Sequence, residues 1–132
     1  MIPSPDSINN LEVNEVFVFG SNRAGRHGAG AARQAVKWGA IYGQGEGHMG
    51  QTYGISTKGH KLEVLTLNEI KINIERFLRY AEKHPELIFL VTAIGTGLAG
   101  YSSKQIAPLF GDNIPSNVRL PQSFINILNG VP

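Results

Sequence analysis

The run Val16-Phe17-Val18-Phe19-Gly20-Ser21-Asn22-Arg23-Ala24-Gly25-Arg26-His27-Gly28-Ala29-Gly30 joins a continuously apolar, β-prone segment to a glycine-rich one. Apolarity without alternation reads as a buried strand over residues 15–20. The next residues, Ala31-Ala32-Arg33-Gln34-Ala35-Val36-Lys37-Trp38, read as a short helix ended by Gly39. A strand handed to a helix through glycines leaves backbone N–H groups uncovered by side chains, and a helix start adds partial positive charge. The arrangement recurs: Leu87-Ile88-Phe89-Leu90-Val91 leads into Gly95-Thr96-Gly97-Leu98-Ala99-Gly100. Two such loops at the ends of neighbouring strands make a cradle for a diphosphate.

Between the loops, the segment 43–50 carries Gly43, Gly45, Gly47 and Gly50 and reads as a turn or long exposed loop. Thr52 to Thr57 reads as a strand, and Leu62 to Leu65 as a further short strand or a lead into a helix. Thr66 and Glu69 have capping-box spacing. Leu67, Ile70, Ile74, Phe77, Leu78 and Ala81 then recur on one face of a 3.6-residue period, which His84-Pro85 ends. Residues 87–94 read as a parallel strand covered on both faces. Ser102 or Ser103 is placed to cap a helix through Phe110, stopped by Gly111. Val118 to Leu120 reads as a last strand, Pro121 to Leu128 as a last helix, and residues 1–14 as an arm packed on the domain.

Alternating strands and helices predict a single α/β domain spanning residues 1–132. It has three layers, a mostly parallel or mixed sheet and helices on both faces. Ligands bind such sheets outside the carboxyl ends of strands, where both glycine loops fall. A chain of 132 residues buries roughly two-thirds of its surface. A content of 42% hydrophobic and 17% charged residues argues against disorder. A formal charge of +2 suits a small anion, and no basic run marks a nucleic-acid groove, so nucleic acid is expected only as a modified substrate.

The chain has no cysteine, which excludes disulfides, thiolate nucleophiles and Cys-ligated zinc. The four histidines lack metal-ligand spacing, so neither metal nor cofactor is expected. Absence of a signal-like start or of a long apolar run points to a cytoplasmic protein without a membrane partner. The first loop lacks the Gly-Lys-Ser/Thr of a Walker A motif, and Lys58 follows a different strand. Residues 21–27 separate its strand from the helix-opening glycines, unlike a dinucleotide-binding fingerprint.

The chain instead resembles macrodomains, α/β modules that bind ADP-ribose. Their first motif is a strand ending in Asn-Ala-Ala-Asn followed by a glycine cluster. Phe19-Gly20-Ser21-Asn22 and Gly28-Ala29-Gly30-Ala31 stand at those places. Their second is a buried strand running into Ser-Thr-Gly-Ile-Phe-Gly-Tyr-Pro, matched by Gly95-Thr96-Gly97-Leu98-Ala99-Gly100-Tyr101-Ser102. The resemblance covers about residues 15–110, and the variant looks like a small bacterial and phage group. It implies that Asn22 contacts the distal ribose. Backbone N–H groups of Gly28 to Ala31 and of Thr96 to Ala99 would hold the phosphates, with Gly20, Ser21, Gly95, Gly100 and Tyr101 completing the site. An early Asp holds the adenine in such proteins, and Asp6 stands slightly out of register with it. Ala31 and Ala32 replace an Asp of many hydrolytic members, Ala99 an aromatic, and Phe19 the first Asn.

Individual residues carry plainer readings as well. Asn22 also fits a turn that tolerates a left-handed backbone. His27, among glycines, suits a phosphate donor or general base, or simply a solvated loop. Glu46 and His48 fit a lid or an exposed loop, and Glu46 is a second candidate base; His60 and His84 fit the surface. Arg23, Arg26 and Arg33 fit phosphate screening or a solvated face, and Trp38 and Tyr42 fit packing. The leading expectation is a binder of ADP-ribose or a related nucleotide, with ADP-ribosyl hydrolysis as its possible chemistry through Asn22 and His27. A sequestering or sensor module and a protein-interaction domain are the alternatives.

Overall fold

The computed structural model describes residues 1–130. Its elements run β1 (Glu15–Asn22), α1 (Gly30–Val36), β2 (Gly47–Met49), β3 (Thr52–Lys58), α2 (Leu67–Glu82), β4 (Ile88–Val91), α3 (Ser103–Ile106), a 3-10 turn (Ala107–Phe110), β5 (Val118–Arg119) and α4 (Gln122–Leu128). They build an α/β fold on one mixed sheet of order β2-β3-β1-β4-β5. β1 lies at its centre, parallel to β3 and β4, and β4 is parallel to β5. Only β2 runs antiparallel, against β3.

The two faces of β1 explain its unbroken apolarity. Val16 and Val18 join Tyr53, Ile55, Phe89 and Val91 against Ile70, Ile74 and Phe77 of α2, with Phe110 and Phe124 alongside. Phe17 and Phe19 face the other way, onto Ala32 and Ala35 of α1, Met49 and Leu90. The small side chains of α1 let it approach the sheet closely, and Trp38 closes that layer against Phe17 at a ring-centroid distance of 5.0 Å.

Several boundaries differ from the sequence reading. β1 continues through Gly20, Ser21 and Asn22, so the first loop begins at Arg23. Residues 47–49 form an edge strand where an unstructured loop was expected; Gly50 turns the chain with φ +57 so that His48 pairs with Tyr53. β4 stops at Val91, three residues short of the expected end; Thr92 still reaches β1, donating to Val18 O from its N–H at 3.0 Å and from its hydroxyl at 2.8 Å. The helix expected through Phe110 tightens to 3-10 at Ala107, since Pro108 has no N–H for the α-helical bond. Val64 pairs with Lys58 as an isolated bridge, closing a small hairpin before α2. Tyr42 is 62% exposed rather than packed inside.

The arm crosses the carboxyl ends of the sheet. Ser4 donates from its N–H to Leu120 O and from its hydroxyl to Val91 O, both at 2.8 Å, and Ile8 is buried against the α1 layer.

Candidate functional site

The first loop is held from three sides by local chemistry. Asn22, at the end of β1, clasps Arg26: its amide donates to Arg26 O at 2.8 Å and its Oδ1 accepts from Arg26 N at 2.9 Å. Gly43 N donates to Gly25 O at 3.0 Å from the segment that passes behind. His27 turns into the domain, with Nε2 shared between Ile41 O at 3.0 Å and Gln44 O at 2.9 Å. Contact is backbone to backbone here, and an added Cβ at Gly45 would collide with Asn22 O. That explains part of the glycine density between residues 43 and 50.

The second loop is a tight turn after β4. Thr96 Oγ1 donates to Ala93 O at 2.7 Å, Gly100 N to Gly97 O at 3.0 Å, and Tyr101 N to Gly95 O at 3.0 Å. Gly95 has φ +75 and lies against Ile106, a conformation and a closeness that exclude a side chain. Tyr101 anchors the loop base by donating to Leu65 O at 2.6 Å.

Between the loops, at the carboxyl ends of β1, β3 and β4, lies a cleft of about 750 Å³, within the usual range for small-molecule sites. Gly20, Ser21 and Asn22, then Gly28 to Ala31, then Gly95 to Ala99 all line it. The N–H groups of Gly28, Ala29 and Ala31, and those of Gly97, Leu98 and Ala99, find no backbone acceptor among the described residues. α1 and α3 are only 7 and 4 residues long, so these amides, more than any helix dipole, supply the positive potential.

Three residues expected at the site stand outside the lining. Gly100 closes the second loop through its N–H to Gly97 O, and Tyr101 anchors the loop base on Leu65 O. His27 is 1% exposed and packs edge-on against Phe19, with Nδ1 unpaired. Its role in this geometry is to fasten the loop, not to face a ligand. Asn22 does line the cleft, yet its amide is already engaged on Arg26. Glu46 and His48 form no lid. Glu46 pairs with Arg76 at 2.9 Å and Arg23 at 3.6 Å, and His48 bonds Tyr80 Oη and Gly50 O. That leaves Arg26 as the one arginine of the expected trio in the lining.

Ala32 also lines the cleft, and residues not expected at the site complete it: Thr57, Lys58, Leu62, Thr92, Ala93 and Ile94. Lys58 follows another strand, but β3 runs parallel beside β1 and its register sets Lys58 opposite Asn22. The parallel pairing was the available signal. Arg26 and Lys58 are the only charged side chains in the lining; no carboxylate or imidazole is among the described lining residues. A second hollow of about 390 Å³ adjoins the cleft, sharing Ala31, Thr92 and Ala93 with it. The arm supplies Asp6 and Asn9 to it, and α1 supplies Gln34.

No known family model and no curated protein sequence matches the chain. Among the described residues, no His/Asp/Glu group is gathered to hold a metal ion, and no helix is long and apolar enough to cross a membrane.

Proposed function

We propose that the cleft captures ADP-ribose or a closely related nucleoside diphosphate, and that the chain is a macrodomain-like binding module. One observation carries this reading. Two runs of unpaired backbone N–H groups, at Gly28–Ala31 and Gly97–Ala99, line a single cleft together with Arg26 and Lys58 and without any carboxylate. Such a surface suits a polyanion with two adjacent phosphates, because amide donors and cations oppose the charge and nothing repels it. The adjoining hollow offers Asp6, Asn9 and Gln34 as hydrogen-bonding groups for a base. The opposite end, by Asn22 and Lys58, receives what lies beyond the diphosphate.

Capture is favoured over hydrolysis. Attack of water at an anomeric carbon needs a group to take its proton. The lining offers no imidazole or carboxylate for this, and His27 and Glu46 are engaged elsewhere. Calorimetry with ADP-ribose tests the reading, with an expected Kd near the micromolar range, about 8 kcal/mol of binding free energy. Absence of heat and of competition at millimolar ligand overturns it. Release of ADP-ribose from ADP-ribosylated protein or from O-acetyl-ADP-ribose would overturn capture alone.

A further inference from the structure

Leu62 is the only non-glycine residue among those described with a positive φ, at +63. A leucine in the left-handed region is strained by contact of its Cβ with the following carbonyl, and single residues there are normally glycine or asparagine. The hairpin enforces the conformation. Lys58 bridges Val64 at its base, Gly59 N donates to Glu63 O at 2.8 Å, and Leu62 N donates to Gly59 O at 3.1 Å. The strained residue is not packed in the core: it lines the cleft and is 39% exposed. Leu98 lines the same cleft from the other glycine loop and is 77% exposed. β3 and β4 lie on opposite sides of β1, so the two leucines enter from opposite flanks. A large apolar side chain is thus held in a costly conformation with 39% of its surface still in water. Strain of this kind is characteristic of ligand contacts.

We propose that Leu62 is a specificity-determining residue that packs on the terminal group of the ligand, the part beyond the diphosphate. This rests on the nucleotide reading above and assigns it a direction. The base end of the cleft is the end that adjoins the arm, through Ala31, Thr92 and Ala93. Leu62 belongs to the β3 end, with Lys58 set opposite Asn22. A ligand lying across both loops thus brings its last group, a pentose with an apolar C–H face, under Leu62. A nucleotide that stops at the second phosphate does not reach it.

The experiment compares ADP-ribose with ADP on wild type, Leu62→Asn and Leu62→Gly by calorimetry, with melting temperatures measured alongside. Asparagine keeps the left-handed backbone and removes the apolar surface; glycine removes the strain as well. Expected is a loss of about tenfold in ADP-ribose affinity in both variants, the worth of one partly buried leucine contact. ADP affinity stays unchanged and neither melting temperature falls. Equal losses for ADP and ADP-ribose would make Leu62 a prop of the loop and overturn the proposal. So would unchanged ADP-ribose affinity, or a lowered melting temperature in both variants. A wild-type protein that binds neither nucleotide would overturn the nucleotide reading itself, an outcome distinct from all of these.

Discussion

At the scale of single residues, the site is built from what side chains do not occupy. Gly97 shows this most directly, because a Cβ added there meets nothing within 4 Å. Gly97→Val should therefore leave the melting temperature within a degree or so of wild type, while its branched side chain fills phosphate space. Affinity for ADP-ribose is expected to fall by at least about a hundredfold, or ~2.7 kcal/mol, in calorimetry on the folded variant. Asn22 makes the opposite case. The sequence leaves open whether it meets a ribose or shapes a turn. The two bonds to Arg26 show it shaping the turn while it also lines the cleft. Asn22→Ala should cost about 1 kcal/mol of stability, because two part-buried hydrogen bonds to Arg26 are lost, and should weaken ADP-ribose as the loop loosens. A variant with wild-type stability in chemical denaturation would contradict that role. His27 was misjudged for a related reason: glycine neighbours promised exposure, but the glycines are there to let segment 41–45 close over the ring.

Elements differ in how far local chemistry specifies them. α2 was readable end to end, since its cap and its apolar stripe both lie within its own sequence. Thr66 Oγ1 accepts from Glu69 N at 3.2 Å and Glu69 Oε1 accepts from Thr66 N at 3.0 Å. Those bonds to Thr66 hold the Glu69 carboxyl below its ordinary value. A lowered carboxyl value means that the cap contributes fully above the unfolded-state pKa and is lost as pH falls through the folded one. Thr66→Ala should cost about 1 kcal/mol near neutral pH in denaturant titration, and somewhat less at acid pH, where protonation weakens the Glu69 carboxylate half of the box and leaves the bond to Thr66 Oγ1. β1 and β4 are readable in kind but not in extent, because an unbroken apolar run marks a strand covered on both faces and not where its ladder ends. β2 was not. It is three residues of Gly-His-Met, and what makes it a strand is the neighbouring β3, which no local pattern discloses. Lys58 and Leu62 escaped notice for the same cause: their approach to the first loop depends on strand order.

Taken as a whole, the molecule rests on two cores divided by the sheet, and Tyr53 sets an ionisable phenol within one of them. Burial pushes its phenol up to about 12 from 10.0, with Arg76 opposing. A raised value means that its contribution to stability is complete below the unfolded-state value of about 10 and is lost as pH climbs toward the folded one. Stability should thus fall across that alkaline window, and Tyr53→Phe should flatten the fall without altering the sheet, as thermal melts at successive pH values will register. The strand order carries a different kind of consequence. β1 is central, yet both strands that flank it, β3 and β4, come later in the chain. As the polypeptide leaves the ribosome, Val16 to Phe19 emerges with no mate on either side. It stays so until residues 52–58 arrive on one flank and 88–91 on the other. The segment that ends as the best protected in the protein is, during synthesis, the longest exposed, and a chain stalled before β4 presents an open apolar edge to chaperones and to its own copies.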